Sequence, residues 1–259
     1  MWTDQGLGDT LMMMRYFPLL KGRGFGRVLV HCEEALLRIV RAMPGVDEAV
    51  SRAAPTPIGR FDCQIPLTSL PLAFGTRVET IPGKVPYLAV PAELKRKWAA
   101  RLADVAPPRV GLVWAGRKDY PKDALRSLPL RDLAPLFAVP GVRFVNLQKG
   151  DEARQIAQTG LALVDRIDEC ADLMETAAMI GELDLVICVD TAVMHLAGAL
   201  GKPLWMLNRF ETEWRWMLER ADSPWYPTMR IFRQRQLHDW DDLFARMAAA
   251  LAARTEDRS

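Results

Sequence analysis

Cysteine and histidine are scarce in this chain: 259 residues hold four cysteines and three histidines. Cys32, Cys63, Cys170 and Cys188 stand far apart, with no C-x-x-C pair and no histidine at ligand spacing. That pattern argues against a zinc site or a disulfide framework and fits a reducing cytosol. Neither sign of charge is in surplus. Lys and Arg number 34 against 32 Asp and Glu, a formal net charge of +2, too balanced for a surface devoted to nucleic acid or anionic lipid. No apolar run reaches the length of about eighteen residues that a membrane-spanning helix needs. Met1-Trp2-Thr3-Asp4-Gln5 lacks the basic region of a signal peptide. Against these absences, the chain is 50% hydrophobic and 25% charged, an ordinary globular mix that excludes wholesale disorder. Its length implies one large or two small domains at about 150 residues per domain. The expectation is a cytoplasmic protein with no nucleic-acid partner.

Short apolar runs alternate with amphipathic stretches, the mark of an α/β fold with a mainly parallel sheet. In the first half, strands are predicted at Arg27–His31, Phe61–Leu67 and Tyr87–Val90, with helices at Glu34–Val40 and Ala92–Ala103. Ala106-Pro107-Pro108 marks a break, and the domain boundary is placed there: residues 1–106 and 107–259. The second half is more regular. Strands are predicted at 109–114, 143–147, 161–164, 184–189, 203–207 and 229–232, with helices near 130–138, 151–158, 171–181, 191–200 and 239–253. Six strands with intervening helices make a doubly wound domain. The first half begins oddly, because Gly6-Leu7-Gly8-Asp9 reads as a loop that follows a strand, and Met1–Thr3 leaves that strand short or missing.

Several motifs carry chemistry, each with a plainer alternative. Gly22-Arg23-Gly24-Phe25-Gly26 precedes its strand instead of following one, so it reads as a turn and not as a dinucleotide fingerprint. Gln5-Gly6-Leu7-Gly8-Asp9-Thr10 opens a helix; its aspartate is either an N-terminal cap or a general base held in a cleft. In Leu183 to Gly201 a buried strand runs through Asp190-Thr191 directly into a helix whose free amides suit a phosphate. The core face of that helix is predicted as Val193, Leu196, Ala197 and Leu200, with His195 off the stripe. The plain alternative is a capped helix with a hydrogen-bonded histidine. Gly116 to Ser127 holds four cations beyond the carboxyl end of a strand, where open α/β sheets bind ligands. Leu147-Gln148-Lys149-Gly150-Asp151-Glu152 ends the next strand, and its carboxylates either meet ribose hydroxyls or start a helix. Asp239-Trp240-Asp241 spells the D-x-D of metal–nucleotide sites, but acidic residues also suit a helix start, the favoured reading. Trp214, Trp216, Trp225 and Tyr226 form an aromatic cluster suited to packing or to stacking on sugars and bases.

Taken in order, Gln5–Thr10, Gly111–Gly116, Leu147–Gly150, Asp190–Gly201, Trp214-Arg215-Trp216 and Asp222–Pro227 resemble a known family over nearly the whole chain. They resemble the glycosyltransferase module found behind tetratricopeptide repeats in bacterial proteins, related to the ADP-heptose:lipopolysaccharide heptosyltransferases of glycosyltransferase family 9. The resemblance implies a GT-B fold, with two doubly wound Rossmann-like domains facing a cleft. The first domain takes the acceptor and the second a nucleotide-diphosphate sugar. It implies Asp9 as catalytic base and a donor site of Gly8, Trp114, Gly116, Arg126, Lys149, Glu152, Asp190, Thr191, Ala192 and His195. It further implies inverting transfer to a glycan, lipid-linked or protein acceptor, with peripheral contact at the inner membrane. No cofactor and no metal are expected, because Arg126 and the amides after Asp190 supply positive potential to the departing diphosphate. The rival readings are a non-catalytic nucleotide-sugar-binding or scaffold module and, disfavoured by the misplaced glycines, an NAD-dependent enzyme.

Overall fold

A computed structural model describes residues 1–55 and 61–256. The first half opens on a nearly continuous helical run: α1 (Leu7–Met13), a 3-10 turn (Met14–Tyr16) and α2 (Phe17–Gly22). Leu11 to Phe17 are all buried, because the run is enclosed on every side instead of presenting one stripe to a core. Gly24, at φ 85°, turns the chain into β1 (Leu29–Cys32), which α3 (Leu37–Arg41) and β2 (Glu48–Ser51) follow. β1 and β2 pair in parallel. Trp2 adds isolated parallel bridges to His31 and Pro66, so the first strand is reduced to a single residue of pairing.

α4 (Leu70–Ala73) and α5 (Ala92–Arg101) complete this half. Two of its predicted strands do not form. Phe61–Leu67 contributes only the bridge at Pro66, and Tyr87–Val90 lies against a helix end in the second half, its Tyr87 and Leu88 amides donating to the Ala199 carbonyl. Pro66 removes a donor inside the first of these runs, and Pro86 and Pro91 bracket the second so that pairing cannot extend past it.

The second half is a six-stranded parallel sheet. Its elements are β3 (Arg109–Val113), α6 (Ala134–Phe137), β4 (Arg143–Asn146), α7 (Gln155–Thr159), β5 (Leu163–Val164) and α8 (Leu173–Gly181). They continue with β6 (Leu185–Val189), α9 (Ala192–Ala199), β7 (Leu204–Asn208), β8 (Met229–Arg233) and α10 (Trp240–Glu256). The strand order is β5-β4-β3-β6-β7-β8. β6 and β7 are buried at every position, as strands covered by helices on both faces must be. The order reverses between β3 and β6, which opens a crevice at the carboxyl ends of those two strands. Asp239-Trp240-Asp241 is the start of α10, where Asp239 accepts the Asp242 amide at 3.2 Å.

The halves share one continuous core that runs from Leu11 to Ile231. α1 packs on α9, and α5 on α8. Glu175 of α8 is buried and accepts the Trp98 indole N–H at 2.7 Å and the Lys97 ammonium at 2.7 and 2.9 Å. Arg15 is the second stitch. Its guanidinium is 3% exposed and donates to the carbonyls of Met12 (2.8 Å), Trp225 (2.5 Å) and Pro82 (3.2 Å). It also lies within 5.4 Å of the ring centres of Tyr87, Trp225 and Tyr226.

Candidate functional site

The crevice between the two halves widens into a cleft of about 810 Å³. Its floor is built from strand ends. Past β3, the amides of Trp114 and Ala115 donate to Gln148 Oε1 at 3.2 and 2.9 Å, tying this end to the end of β4. Gly116 donates to Ser127 Oγ at 2.8 Å, and a Cβ at Gly116 would strike the Arg126 guanidinium and the Asp123 carboxylate. Glycine is therefore required there for the loop to fold back. Within that loop Arg126 is held on three sides. It donates to Asp123 Oδ1 at 3.0 Å and to the Asp190 carbonyl at 2.5 Å, and it stacks on Tyr120 at 4.6 Å.

β6 delivers Asp190 and Thr191 to the same place. Thr191 has extended backbone at the start of α9 but makes no side-chain cap, and its Oγ1 is buried with no hydrogen-bond partner. A buried hydroxyl without a partner is costly, and this one stands among first-turn amides that suit an anion. Asp190 Oδ2 accepts the Trp216 indole N–H at 2.9 Å, and Oδ1 lies 3.7 Å from His195 Nε2. Burial would raise the Asp190 carboxyl, but the histidine, the indole and the Arg215 charge outweigh it and hold the group below its ordinary value. His195 is itself buried, its Nδ1 2.8 Å from the Tyr226 hydroxyl. Of the predicted stripe of α9, Leu196 and Ala197 are fully buried and Val193 and Leu200 pack half-buried against the core, but burial extends over all of Met194–Ala199, His195 included. With the sheet on one side and α1 on the other, the helix has little free surface, and Val193 also lines the cleft.

The opposite wall is the start of α1. Asp9 sits in its first turn, Oδ2 accepting the Gly6 amide at 3.1 Å, and Oδ1 forms an ion pair with Arg215 from the second half. Arg215 Nη1 is 3.4 Å from Glu213. Gly8 lets α1 approach this closely: a Cβ there would stand 2.6 Å from His195 Cδ2. Lys149 lines the cleft with its ammonium on the Cys170 carbonyl at 2.5 Å.

Of the residues predicted for the site, Gly8, Asp9, Gly116, Arg126, Lys149, Asp190, Thr191, Ala192 and His195 line this one cleft. Two do not. Trp114 is fully buried in the core beneath the sheet, and only its backbone serves the cleft floor. Glu152 pairs with Lys118 at 2.7 Å and bonds Gln155, facing a neighbouring hollow, because the turn after Gly150 carries it away from the mouth. Conversely Arg215, Glu213, Arg209 and Tyr120 line the cleft without having been foreseen as site residues. The one available signal was Trp214-Arg215-Trp216: an arginine between two tryptophans in a polar loop. The lining carries five cations, Arg117, Arg126, Lys149, Arg209 and Arg215, against three carboxylates, Asp9, Asp190 and Glu213. Its far end is apolar, with Leu147, Ile167 and Leu173. Among the described residues no three His, Cys, Asp or Glu side chains converge as a metal-binding group. No helix among them is long and apolar enough to cross a membrane.

A cationic cleft at the switch point of a parallel sheet is where open α/β sheets take anionic ligands. Residues 153–237 match the model of glycosyltransferase family 9 (heptosyltransferase). The fold is that of GT-B family 9 structures. The family 9 glycosyltransferase of Veillonella parvula superposes with a TM-score of 0.63 at 13% identity, covering 95% of this chain and 88% of that one. E. coli heptosyltransferase WaaC with ADP-2-deoxy-2-fluoro heptose superposes with a TM-score of 0.57 at 14% identity, covering 100% of both chains. By sequence, the chain is 32% identical over 272 residues to Protein FlbA of Caulobacter vibrioides, spanning 96% of this chain and 45% of that protein. The chain thus spans less than half the length of this curated relative.

Proposed function

We propose that this chain is a glycosyltransferase module that moves a sugar from a nucleotide-diphosphate donor to an acceptor hydroxyl. The observation that carries the reading is the convergence, on one cleft, of the Asp9 carboxylate from the first half with Arg126 and the start of α9 from the second. In this reading the nucleoside lies toward Leu147, Ile167 and Leu173, and the diphosphate toward Arg126, Thr191 and the first amides of α9. Asp9 takes the proton from the acceptor hydroxyl as its oxygen attacks the anomeric carbon. The bond from that carbon to the diphosphate breaks, the electron pair leaves with the diphosphate, and the configuration inverts. Fixed cations and amides stabilise the departing charge without a metal ion. Lys149 adds to the positive field at the nucleotide end. The acceptor, whether glycan, lipid-linked or protein, enters from the Asp9 side. A cytoplasmic location, with peripheral contact at the inner membrane and an association with tetratricopeptide repeats, belongs to the same proposal.

Thermal-shift measurement against ADP, UDP, GDP, CDP and NAD, with and without Mg²⁺, tests the donor site, because a ligand that binds the native state raises the melting temperature. The expected outcome is a rise with one nucleoside diphosphate, independent of Mg²⁺ and removed by Arg126→Ala. A larger rise with NAD, or none with any nucleotide, refutes it. Asp9→Asn is expected to keep that binding and lose transfer.

One observation favours a second reading, a nucleotide-sugar-binding module without transfer. Both Asp9 oxygens are already engaged, by the Gly6 amide and by Arg215. Donor binding with no donor hydrolysis and no transfer to any acceptor would establish it.

A further inference from the structure

His195 is the least exposed ionisable side chain of the cleft lining, and each of its ring nitrogens faces a chemically different neighbour. Nδ1 is 2.8 Å from the Tyr226 hydroxyl. Nε2 is 3.7 Å from Asp190 Oδ1, too far for a good hydrogen bond but close enough for the carboxylate to favour an N–H on that side. The ring is closely packed, and the Tyr226 hydroxyl at Nδ1 distinguishes its two orientations. Gly8 backbone covers its Cδ2 edge, where even a methyl group would stand at 2.6 Å, and the Trp216 ring centre is 5.7 Å away.

Tyr226 is just as firmly placed. Its ring lies against α9 only because residue 198 is glycine; a Cβ there would stand 2.6 Å from Tyr226 Cε1. The Arg15 guanidinium caps the ring at 4.8 Å from its centre. Burial pushes the phenol well above its ordinary value, so the hydroxyl keeps its proton and has one to give. A neutral imidazole has one donor and one acceptor nitrogen, and the bond made by one nitrogen decides what the other presents.

We infer that Tyr226 is a positioning residue: its hydroxyl donates to His195 Nδ1 and so fixes the tautomer that presents Nε2–H to the cleft. Resting on the donor-site reading given above, the acceptor of that Nε2–H is an anionic oxygen of the donor diphosphate. The chain Gly198–Tyr226–His195 thereby makes a neutral, directional donor out of a side chain whose tautomers are nearly equivalent in water.

The test begins on the unliganded wild-type protein. Nitrogen-15 NMR of the imidazoles is tractable because the sequence holds three histidines, His31, His195 and His238, and His31→Gln and His238→Gln assign the third. The expected spectrum at pH 7 has His195 Nδ1 unprotonated and Nε2 protonated, with a scalar coupling from a slowly exchanging Tyr226 hydroxyl proton to Nδ1. A protonated Nδ1, alone or with Nε2, overturns the inference without any substitution in the site. Tyr226→Phe keeps the ring and removes the donor: it is expected to shift the His195 tautomer population measurably toward Nδ1–H, leaving only the pull of the Asp190 carboxylate on Nε2–H, and to weaken ADP binding about three- to tenfold, the worth of one hydrogen bond. An unchanged His195 tautomer in folded Tyr226→Phe also overturns it. The two readings fail separately. If wild-type His195 holds the stated tautomer but ADP, UDP, GDP and CDP all leave its Nε2 signal unmoved, the donor-site reading fails and the positioning role of Tyr226 stands.

Discussion

Arg15 is a buried cation that pairs with no carboxylate among the described residues, and removing it tests how the two halves are held together. Its partners are main-chain carbonyls, the Tyr87 hydroxyl and three aromatic faces. Charge-assisted hydrogen bonds contribute about 1.5–3 kcal/mol each and cation–π contacts about 0.5–2 kcal/mol. Stripping water from a guanidinium costs several kcal/mol and offsets most of that sum. The cost of Arg15→Ala is set instead by what it leaves behind: a void ringed by Tyr87, Trp225 and Tyr226, and the Pro82 and Trp225 carbonyls without their donor. Large-to-Ala changes in cores cost about 2–5 kcal/mol, and the carbonyls add about 1 kcal/mol, so a loss of about 4 kcal/mol is expected. Arg15→Met refills the void without restoring donors, and its expected loss is about 1–2 kcal/mol. Urea unfolding followed by tryptophan fluorescence reads both as a lower midpoint at unchanged slope. The reasoning is refuted if the Ala variant falls within about 1 kcal/mol of wild type, or if Met costs as much as Ala.

Three further outcomes follow from the same interfaces. Gly8→Ala improves helix propensity by about 1 kcal/mol, yet its Cβ meets the clamped His195 ring at 2.6 Å; a net loss of about 1–2 kcal/mol and weaker nucleotide binding are expected, and a raised melting temperature would show that the imidazole yields. Glu175→Gln strands the Lys97 ammonium and weakens the bond to Trp98, for about 2 kcal/mol, whereas Lys97→Ala, at a side chain 37% exposed, costs under about 1 kcal/mol; equal losses in urea titrations would contradict the assignment. Burial would raise the Glu175 carboxyl, but Lys97 and Trp98 hold it below its ordinary value, so its contribution is complete above the unfolded value and is lost as pH falls through the lower folded one. Acid titration of stability should therefore be flatter below pH 4.5 in Glu175→Gln than in wild type.

The second half was readable in the sequence because its central strands are buried on both faces and therefore written as unbroken apolar runs, as in Leu185–Val189 and in residues 204–207. The first half was harder. Glu48–Ser51 forms a strand with only Ala49 buried, so no apolar run announces it, while the apolar Tyr87–Val90 finds a helix end and not a sheet. At the site, motifs that sit where a strand gives way to a helix located most of the cleft lining, since such a junction fixes where its residues point. Glu152 was misjudged because a single glycine turn, Gly150 at φ 82°, decides which way the next residues face. Arg215 and Arg15 went unread for another reason. Their partners lie about two hundred positions away along the chain, and no local pattern encodes a meeting at that separation.

Consecutive residues of the 3-10 turn Trp214–Trp216 grip two of the cleft's three carboxylates: Arg215 holds Asp9, and Trp216 holds Asp190. Adjacent α-carbons are about 3.8 Å apart and cannot stretch, so the turn acts as a fixed ruler between the two acids. Trp216 and Asp190 both belong to the second half, which makes their bond internal to one body. The Arg215–Asp9 bond is the one that crosses between bodies, at side chains only 15% and 20% exposed. Any shift of the α1 wall relative to the second half therefore breaks the Arg215–Asp9 pair and leaves the Trp216–Asp190 bond in place.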